Sequence, residues 1–283
     1  MRVERCALFT TLLLAALIGC GDGKSQSDKS RPKNAGAPKD LTVAPKAASD
    51  ANENLPATRV VDLGGGVKME FVLITSGSFT MGTENSSTDE KAHKVTITKP
   101  FYLGKFEVTQ KQWQQVMGAN PSGFKGEQNP VDRVSWNDGQ EFLKKVNALV
   151  PGGGFRLPTE SEWEYACRAG STGDYAGTGK LDDMGWYGGN SENKTHPVGA
   201  KKPNAWGLFD MHGNVYEWCA DWKGEYPAGV VTDPSGPEQG SSRVLRGGSW
   251  YFNASVCRSA SRLEDAPVTR HYSYGFRVAL GLE

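Results

Sequence analysis

The sequence predicts an α+β fold, rich in loops, with short antiparallel strands and a few helices. Three observations carry that expectation. Thirty-five glycines and eight tryptophans in 283 residues point to aromatic packing between many turns. Sustained helical periodicity is scarce, which argues against a bundle. Short β-rich segments stand between glycine and proline turns, with brief helical stretches among them. Lys+Arg 32 balances Asp+Glu 32, giving a formal net charge of +0. That balance leaves no electrostatic case for nucleic acid or an anionic membrane face.

Residues 1–20 read as a targeting segment. Arg2 and Arg5 form a basic start, and Leu8 to Ile18 is an apolar run too short to span a bilayer. It ends Leu17-Ile-Gly-Cys20, which resembles the lipobox of bacterial lipoproteins. The resemblance implies lipidation at Cys20, a membrane anchor and a place in the bacterial cell envelope. Residues 21–57 have no aromatic residue and are rich in Lys, Asp, Ser, Pro and Ala. They cannot bury enough apolar surface to order themselves and read as a tether. Residues 58–283 read as one domain.

Val60 to Leu63 and Met69 to Ile74 flank Gly64-Gly-Gly66, a hairpin pattern. Phe79 to Gly82, Lys94 to Thr98 and Phe101 to Val108 are further strand candidates. Thr109 with Gln112 is a capping-box spacing that opens a helix. Trp113, Val116 and Met117 form its apolar stripe, and Gly118 stops it. Ser135 with Asp138 opens a second helix, with Phe142, Leu143, Val146 and Leu149 as its buried face. Thr159 with Glu162 opens a third, with Trp163, Ala166 and Cys167 pointing inward. Glu160, Glu162 and Glu164 suit the positive end of that helix better than acid–base chemistry. Residues 170–202 and 225–242 read as loops. Arg243 to Trp250 reads as a strand entering a special turn, and Gly275 to Leu280 as a final strand.

Asn204 to Trp222 is the stretch around which the rest is organised. It holds three tryptophans, with Asp210 and Glu217 beside Gly213-Asn214. Neither a helical nor a strand period fits it well. An aromatic, irregular segment must pack, and its backbone groups then need partners. Two organisers remain open at this level. One is a hard cation such as calcium, which takes side-chain and carbonyl oxygens. The other is a buried turn capped by its own carboxylates.

Several segments together resemble the formylglycine-generating enzyme, or sulfatase-modifying factor, family. They are Phe79-Thr-Met-Gly82, Phe106-Glu-Val-Thr109, Pro130-Val-Asp-Arg-Val-Ser-Trp136 and Arg156-Leu-Pro-Thr-Glu-Ser-Glu-Trp-Glu-Tyr165. Pro197-Val-Gly199, Pro203 to Asp210, Gly213-Asn-Val-Tyr-Glu-Trp218, Arg246-Gly-Gly-Ser-Trp250 and Gly275-Phe-Arg277 complete the series. They follow the family's order over residues 60–281. The resemblance implies a C-type-lectin-like α+β fold with structural calcium. It places one calcium on Asp210, the carbonyls of Gly213 and Val215, and Glu217. A second maps less cleanly to the loop around Asn190 and Glu192.

The catalytic pattern departs from the family's. The enzyme follows Gly-Gly-Ser-aromatic with x-Cys-x4-Cys, whose two thiolates bind copper(I), a soft metal suited to sulfur. Here Ser249 is kept, Phe252 holds the first cysteine position and Cys257 matches the second. Counted back from Pro267 and Gly275-Phe-Arg277, Cys257 falls elsewhere, because the loop is shorter. Copper is therefore not expected. The family's disulfide from the Cys167 position to the last strand is not expected either, since Val278 stands there. Cys167, Cys219 and Cys257 allow one disulfide at most, and spacing does not choose the pair.

Two functional readings follow. In one, the chain is a formylglycine-generating oxidase acting on sulfatase cysteines, or another oxidoreductase of the family. In the other it is a binding module for a protein or surface ligand. Tyr251, Phe252, Asn253, Ser255, His271, Tyr272 and Tyr274 are the expected contact residues, since Tyr, Ser and Asn serve adaptable recognition surfaces. The fold also resembles variable receptors of diversity-generating retroelements. Some of those carry their mutated segment between Gly-Gly-Ser-Trp and Gly-Phe-Arg.

Overall fold

The computed structural model describes residues 55–84, 86 and 89–282. The targeting segment, Cys20 and the tether up to residue 54 lie outside them. Within them no helix is long and apolar enough to cross a membrane. Two residues just ahead of the first strand are bonded to the fold. Pro56 O accepts the Tyr102 hydroxyl at 2.7 Å, and Ala57 O accepts Leu73 N–H at 2.9 Å.

The elements run β1 (Thr58–Asp62), β2 (Lys68–Ile74), β3 (Gly77–Met81), β4 (His93–Ile97) and β5 (Phe101–Gly104). Next come α1 (Gln110–Met117), α2 (Trp136–Leu149), β6 (Phe155–Arg156), α3 (Glu160–Arg168) and α4 (Leu181–Met184). The second half holds β7 (Tyr216–Trp222), β8 (Val230–Thr232), β9 (Arg243–Arg246), β10 (Arg262–Asp265), β11 (Tyr274–Gly275) and β12 (Ala279–Gly281). They form sheets ordered β1-β2-β5-β12-β6, β10-β9-β7-β11 and β3-β4-β8. This is the loop-rich α+β architecture that the sequence predicts.

The capping signals behave as expected. Thr109, Ser135 and Thr159 each accept a bond from the third helical N–H, and Gln112, Asp138 and Glu162 return one. Gly118 ends α1 in the left-handed region. Other expectations need correction. Leu149 is 55% exposed, because the 3.6-residue period carries the apolar stripe to Val150 instead. The strand expected from Phe101 to Val108 stops at Gly104, whose carbonyl accepts the Arg277 guanidinium at 3.0 Å. The final strand is split in two, since Arg277 leaves the ladder for the interior. The loops at 170–202 and 225–242 contain α4 and β8. Strand pairing is antiparallel except where β11 meets β7 and β8 meets β4.

Two apolar clusters make the core. One packs α1 and α2 on the first sheet, where Trp113 stacks on Phe142 at 5.4 Å and Phe276 meets both edge-on. The other gathers Trp163, Leu103, Ile74 and Leu208. Beneath α3 the acidic residues do more than complement its dipole. Glu164 pairs with Arg168 and Arg246, and Glu160 with Arg262, all nearly without exposure. Burial brings these charges together, and pairing is what makes their burial tolerable.

Candidate functional site

The second half of the organising stretch is a strand, contrary to the expectation of irregularity throughout. Tyr216 to Trp222 form β7, buried on both faces, so no alternation marks it. Asn204 to Val215 is irregular, as expected. Its backbone is held by side chains from afar. Glu107, which sequence reasoning passed over, accepts from Val215 N–H at 3.0 Å and Asn214 Nδ2 at 2.8 Å. Gly213 is required: a Cβ there would stand 2.2 Å from the Trp186 carbonyl.

Glu107, Asp210 and Glu217 are all fully buried here, with Arg277 as the cation facing them. Glu217 receives Arg277 Nε at 2.6 Å, Arg277 Nη2 at 2.7 Å and Trp163 Nε1 at 2.8 Å. Asp210 Oδ2 accepts Gly199 N–H at 2.7 Å, while Oδ1 is buried without a partner. Burial pushes the Asp210 carboxyl up to about 6, against the lowering pull of Gly199 N–H and Arg277. Burial, then Asp210 and Glu217, raise Glu107 well above the carboxylate range. The pocket is thus short of positive charge, and Asp210 Oδ1 suits an added cation. Glu217 retains about one of its roughly four lone-pair sites. Among the described residues no three His, Cys, Asp or Glu side chains converge to hold a metal. A hard cation here would therefore lean on the Gly213 and Val215 carbonyls as well. Asn190 is engaged otherwise: Oδ1 accepts Tyr187 N–H at 2.9 Å and Nδ2 donates to Gly185 O at 3.1 Å.

Around the Gly-Gly-Ser-Trp turn, Ser249 is buried and Cys257 shows no exposure. Burial pushes the Cys257 thiol up to about 12, so it stays protonated. It lies against the Gly248 backbone, in a short 3₁₀ turn (Ala254–Cys257) capped by Asn253. Phe252 packs edge-on against Tyr216. Cys167, Cys219 and Cys257 are all free and buried, so the one disulfide allowed by their number is not formed. Cys167 Sγ sits 3.7 Å from His212 Nε2, whose other nitrogen faces Cys257 O at 2.9 Å. Burial lowers His212 to about 4, leaving it neutral.

The expected contact residues divide. Trp250, Tyr251 and Tyr272 meet one another at 5.1–5.5 Å, and Phe124 adds an edge-on contact to Trp250 at 5.1 Å. His271 packs on Tyr272 at 3.9 Å. Tyr251 is the most open of them, at 50% exposure. Asn253 and Ser255 are exposed but bonded to each other. Tyr274 is a correction. It is 6% exposed and bonds Asp265 Oδ2 at 3.1 Å, because parallel pairing of β11 with β7 turns it into the core.

Sequence reasoning missed the other wall of this ledge. Phe124, Arg133, Trp250 and Tyr272 line a groove of about 260 Å³. Arg133, His271, Tyr272 and Arg270 line a further 470 Å³ beside it. Arg133 has φ 61, a conformation that non-glycine residues adopt only under constraint. Asp132 supplies part of that constraint. It is fully buried, accepts Gly123 N–H at 2.8 Å and donates its own N–H to Ser122 Oγ. Its position inside the Pro130 to Trp136 motif was the available signal.

The chain has clear relatives. The chaperone protein LppX of Paenibacillus barcinonensis is 35% identical over 242 residues, covering 67% of this chain and 81% of that protein. The formylglycine-generating enzyme of Streptomyces coelicolor is 38% identical over 188 residues, covering 59% of this chain and 57% of the enzyme. The solved structure of Treponema denticola variable protein 1 superposes with a TM-score of 0.76 at 32% identity, covering 81% of this chain and 100% of that one. Residues 66–282 match the profile of the sulfatase-modifying factor enzyme 1-like domain, and the chain belongs to that family.

Proposed function

We propose that this chain is an envelope lipoprotein whose domain binds a protein or surface ligand and makes no formylglycine. The observation that carries the reading is the ledge of Trp250, Tyr251, Tyr272 and Phe124, with Arg133 at its lip. Aromatic and arginine side chains dominate the energetics of recognition surfaces. Rigid rings lose little entropy on binding, and these rings already brace one another. The similarity to a protein called a chaperone and to one called variable agrees with a binding role.

The donor set does not fit copper(I). Phe252 replaces one thiol, and the remaining one, Cys257, is buried and protonated. The calcium we propose is structural. Asp210, Glu217 and the carbonyls of Gly213 and Val215 would hold it, and it would offset the local excess of carboxylates. Cys20 would carry the lipid anchor that retains the chain in the envelope.

The test has two arms. A sulfatase-derived peptide containing Cys-x-Pro-x-Arg is incubated with the protein and copper(I), then weighed by mass spectrometry; no conversion is expected. Envelope extract is passed over wild type and over Tyr251→Ala/Tyr272→Ala, and the double variant should lose what the wild type retains. Conversion of the peptide by wild type, lost in Cys257→Ser, would restore the oxidase reading.

A further inference from the structure

A second cavity, of about 650 Å³, shares no lining residue with the aromatic ledge. It lies between β3, the turn at Gly82–Glu84, the end of α3 and the loop 170–174. Its volume is in the range of about 300–1,000 Å³ typical of small-molecule sites. Three features of its walls define the chemistry it accepts.

The first is an aromatic wall. Tyr165 stands between Phe79 at 5.2 Å and Trp206 at 4.9 Å, the latter edge-on. Phe79 and Trp206 are half-buried, so part of each ring faces the cavity. Ring faces carry the negative end of the aromatic quadrupole and attract polarised C–H groups.

The second is a set of uncommitted hydrogen-bonding groups. Ser171 Oγ is buried without a partner. Among the described residues nothing bonds the Tyr165 hydroxyl or the Trp206 indole N–H. Thr80, Thr83 and Thr172 add hydroxyls, and Asp174 and Glu84 place carboxylates at the exposed rim.

The third is a rigid, electrostatically closed floor. Gly82 N–H bonds Glu164 Oε1 at 2.8 Å, and Gly82 O accepts Arg168 Nη2 at 2.8 Å. A Cβ on Gly82 would stand 2.4 Å from Glu90 O, so the turn needs glycine. Arg168 is the one cation among the lining residues, and Glu164 holds it at 2.7 Å. An anionic ligand would meet two rim carboxylates and a cation already paired. A cationic ligand at the bottom would meet that guanidinium. Like-charge juxtapositions of this kind exclude both.

We propose that this cavity is a binding site for a short neutral saccharide. The C–H face of a sugar ring packs on Trp206 and Phe79. Its hydroxyls take up Asp174, Ser171 and the Tyr165 hydroxyl. The pinned floor keeps the site formed beforehand, which lowers the ordering cost of binding.

The test is saturation-transfer NMR of the full chain with cellotriose, maltotriose, chitotriose and mannotriose as probes. At least one should receive transfer from aromatic protons. Trp206→Ala should abolish it. Asp174→Asn, on the exposed rim, should keep the wild-type melting temperature and weaken binding about tenfold, as loss of a hydrogen bond to a charged group implies. Tyr251→Ala should leave it unchanged. Failure of all four sugars to bind overturns the proposal, as does binding that survives Trp206→Ala. Binding lost in Tyr251→Ala overturns it too, by moving the sugar to the ledge.

Discussion

Replacing Arg277 with methionine removes the counter-ion of the buried carboxylate pocket while keeping similar bulk. Both Arg277 and Glu217 have no exposure, and their two bonds are 2.6 and 2.7 Å long. Arg277 also donates to Gly104 O and Phe209 O, tying β5 and the organising stretch to the last strands. Removing one partner of a buried pair typically costs about 3–5 kcal/mol, because the other charge is stranded. For a domain of this size each kcal/mol shifts the melting temperature by about 2–4 °C, so the expected fall is roughly 6–20 °C. The assay is thermal unfolding followed by circular dichroism, run as a double-mutant cycle with Glu217→Gln. The double variant should lose clearly less than the sum of the two single losses, a coupling of roughly 1–3 kcal/mol. Trp163 Nε1 still has an oxygen to donate to in Glu217→Gln, so that single variant tests the charge rather than the packing. An Arg277→Met protein that melts within about 1 kcal/mol of wild type would refute the reasoning. So would purely additive losses.

Three further outcomes are expected. Asp132 should make stability depend on pH: burial first, against Gly123 N–H, Arg133 and Lys125, raises its carboxyl to about 6. The unfolded value is about 3.9, so its contribution is complete below about pH 4 and is lost as pH rises through 6. Asp132→Asn should flatten that slope and gain roughly 2–3 kcal/mol at pH 7; an unchanged difference between wild type and variant from pH 4 to 7 would count against it. Calcium bound only by the folded state stabilises by mass action, so a chelator should lower the wild-type melting temperature and leave Asp210→Ala indifferent. A wild-type melting curve untouched by chelation would remove calcium from the account. A fatty-acid analogue fed to cells should label wild type and miss Cys20→Ser, whereas equal labelling would dismiss the anchor.

The sequence by itself determined the local devices. A capping box spans only four residues, so Thr109, Ser135 and Thr159 are legible in the chain alone, as is the hairpin around Gly64-Gly-Gly66. The ordered motifs from Phe79 to Arg277 were enough for the family, because their spacing is a property of the linear chain. What tertiary structure decided were the partners. Glu164 reads as a helix-turn acid in sequence, and its arginine, Arg246, lies 82 residues away. Tyr274 reads as a surface tyrosine until a two-residue parallel pairing with β7 turns it inward. Phe124, Arg133 and Tyr272 come to one groove from separate segments, and no periodicity links them. Glu107 is an ordinary acid in sequence, and only shared burial beside Asp210 and Glu217 makes their pocket short of positive charge. Local hydrogen bonds are written in neighbouring residues. Burial and charge pairing belong to the whole fold, where strand register and loop closure choose which distant groups lose water together.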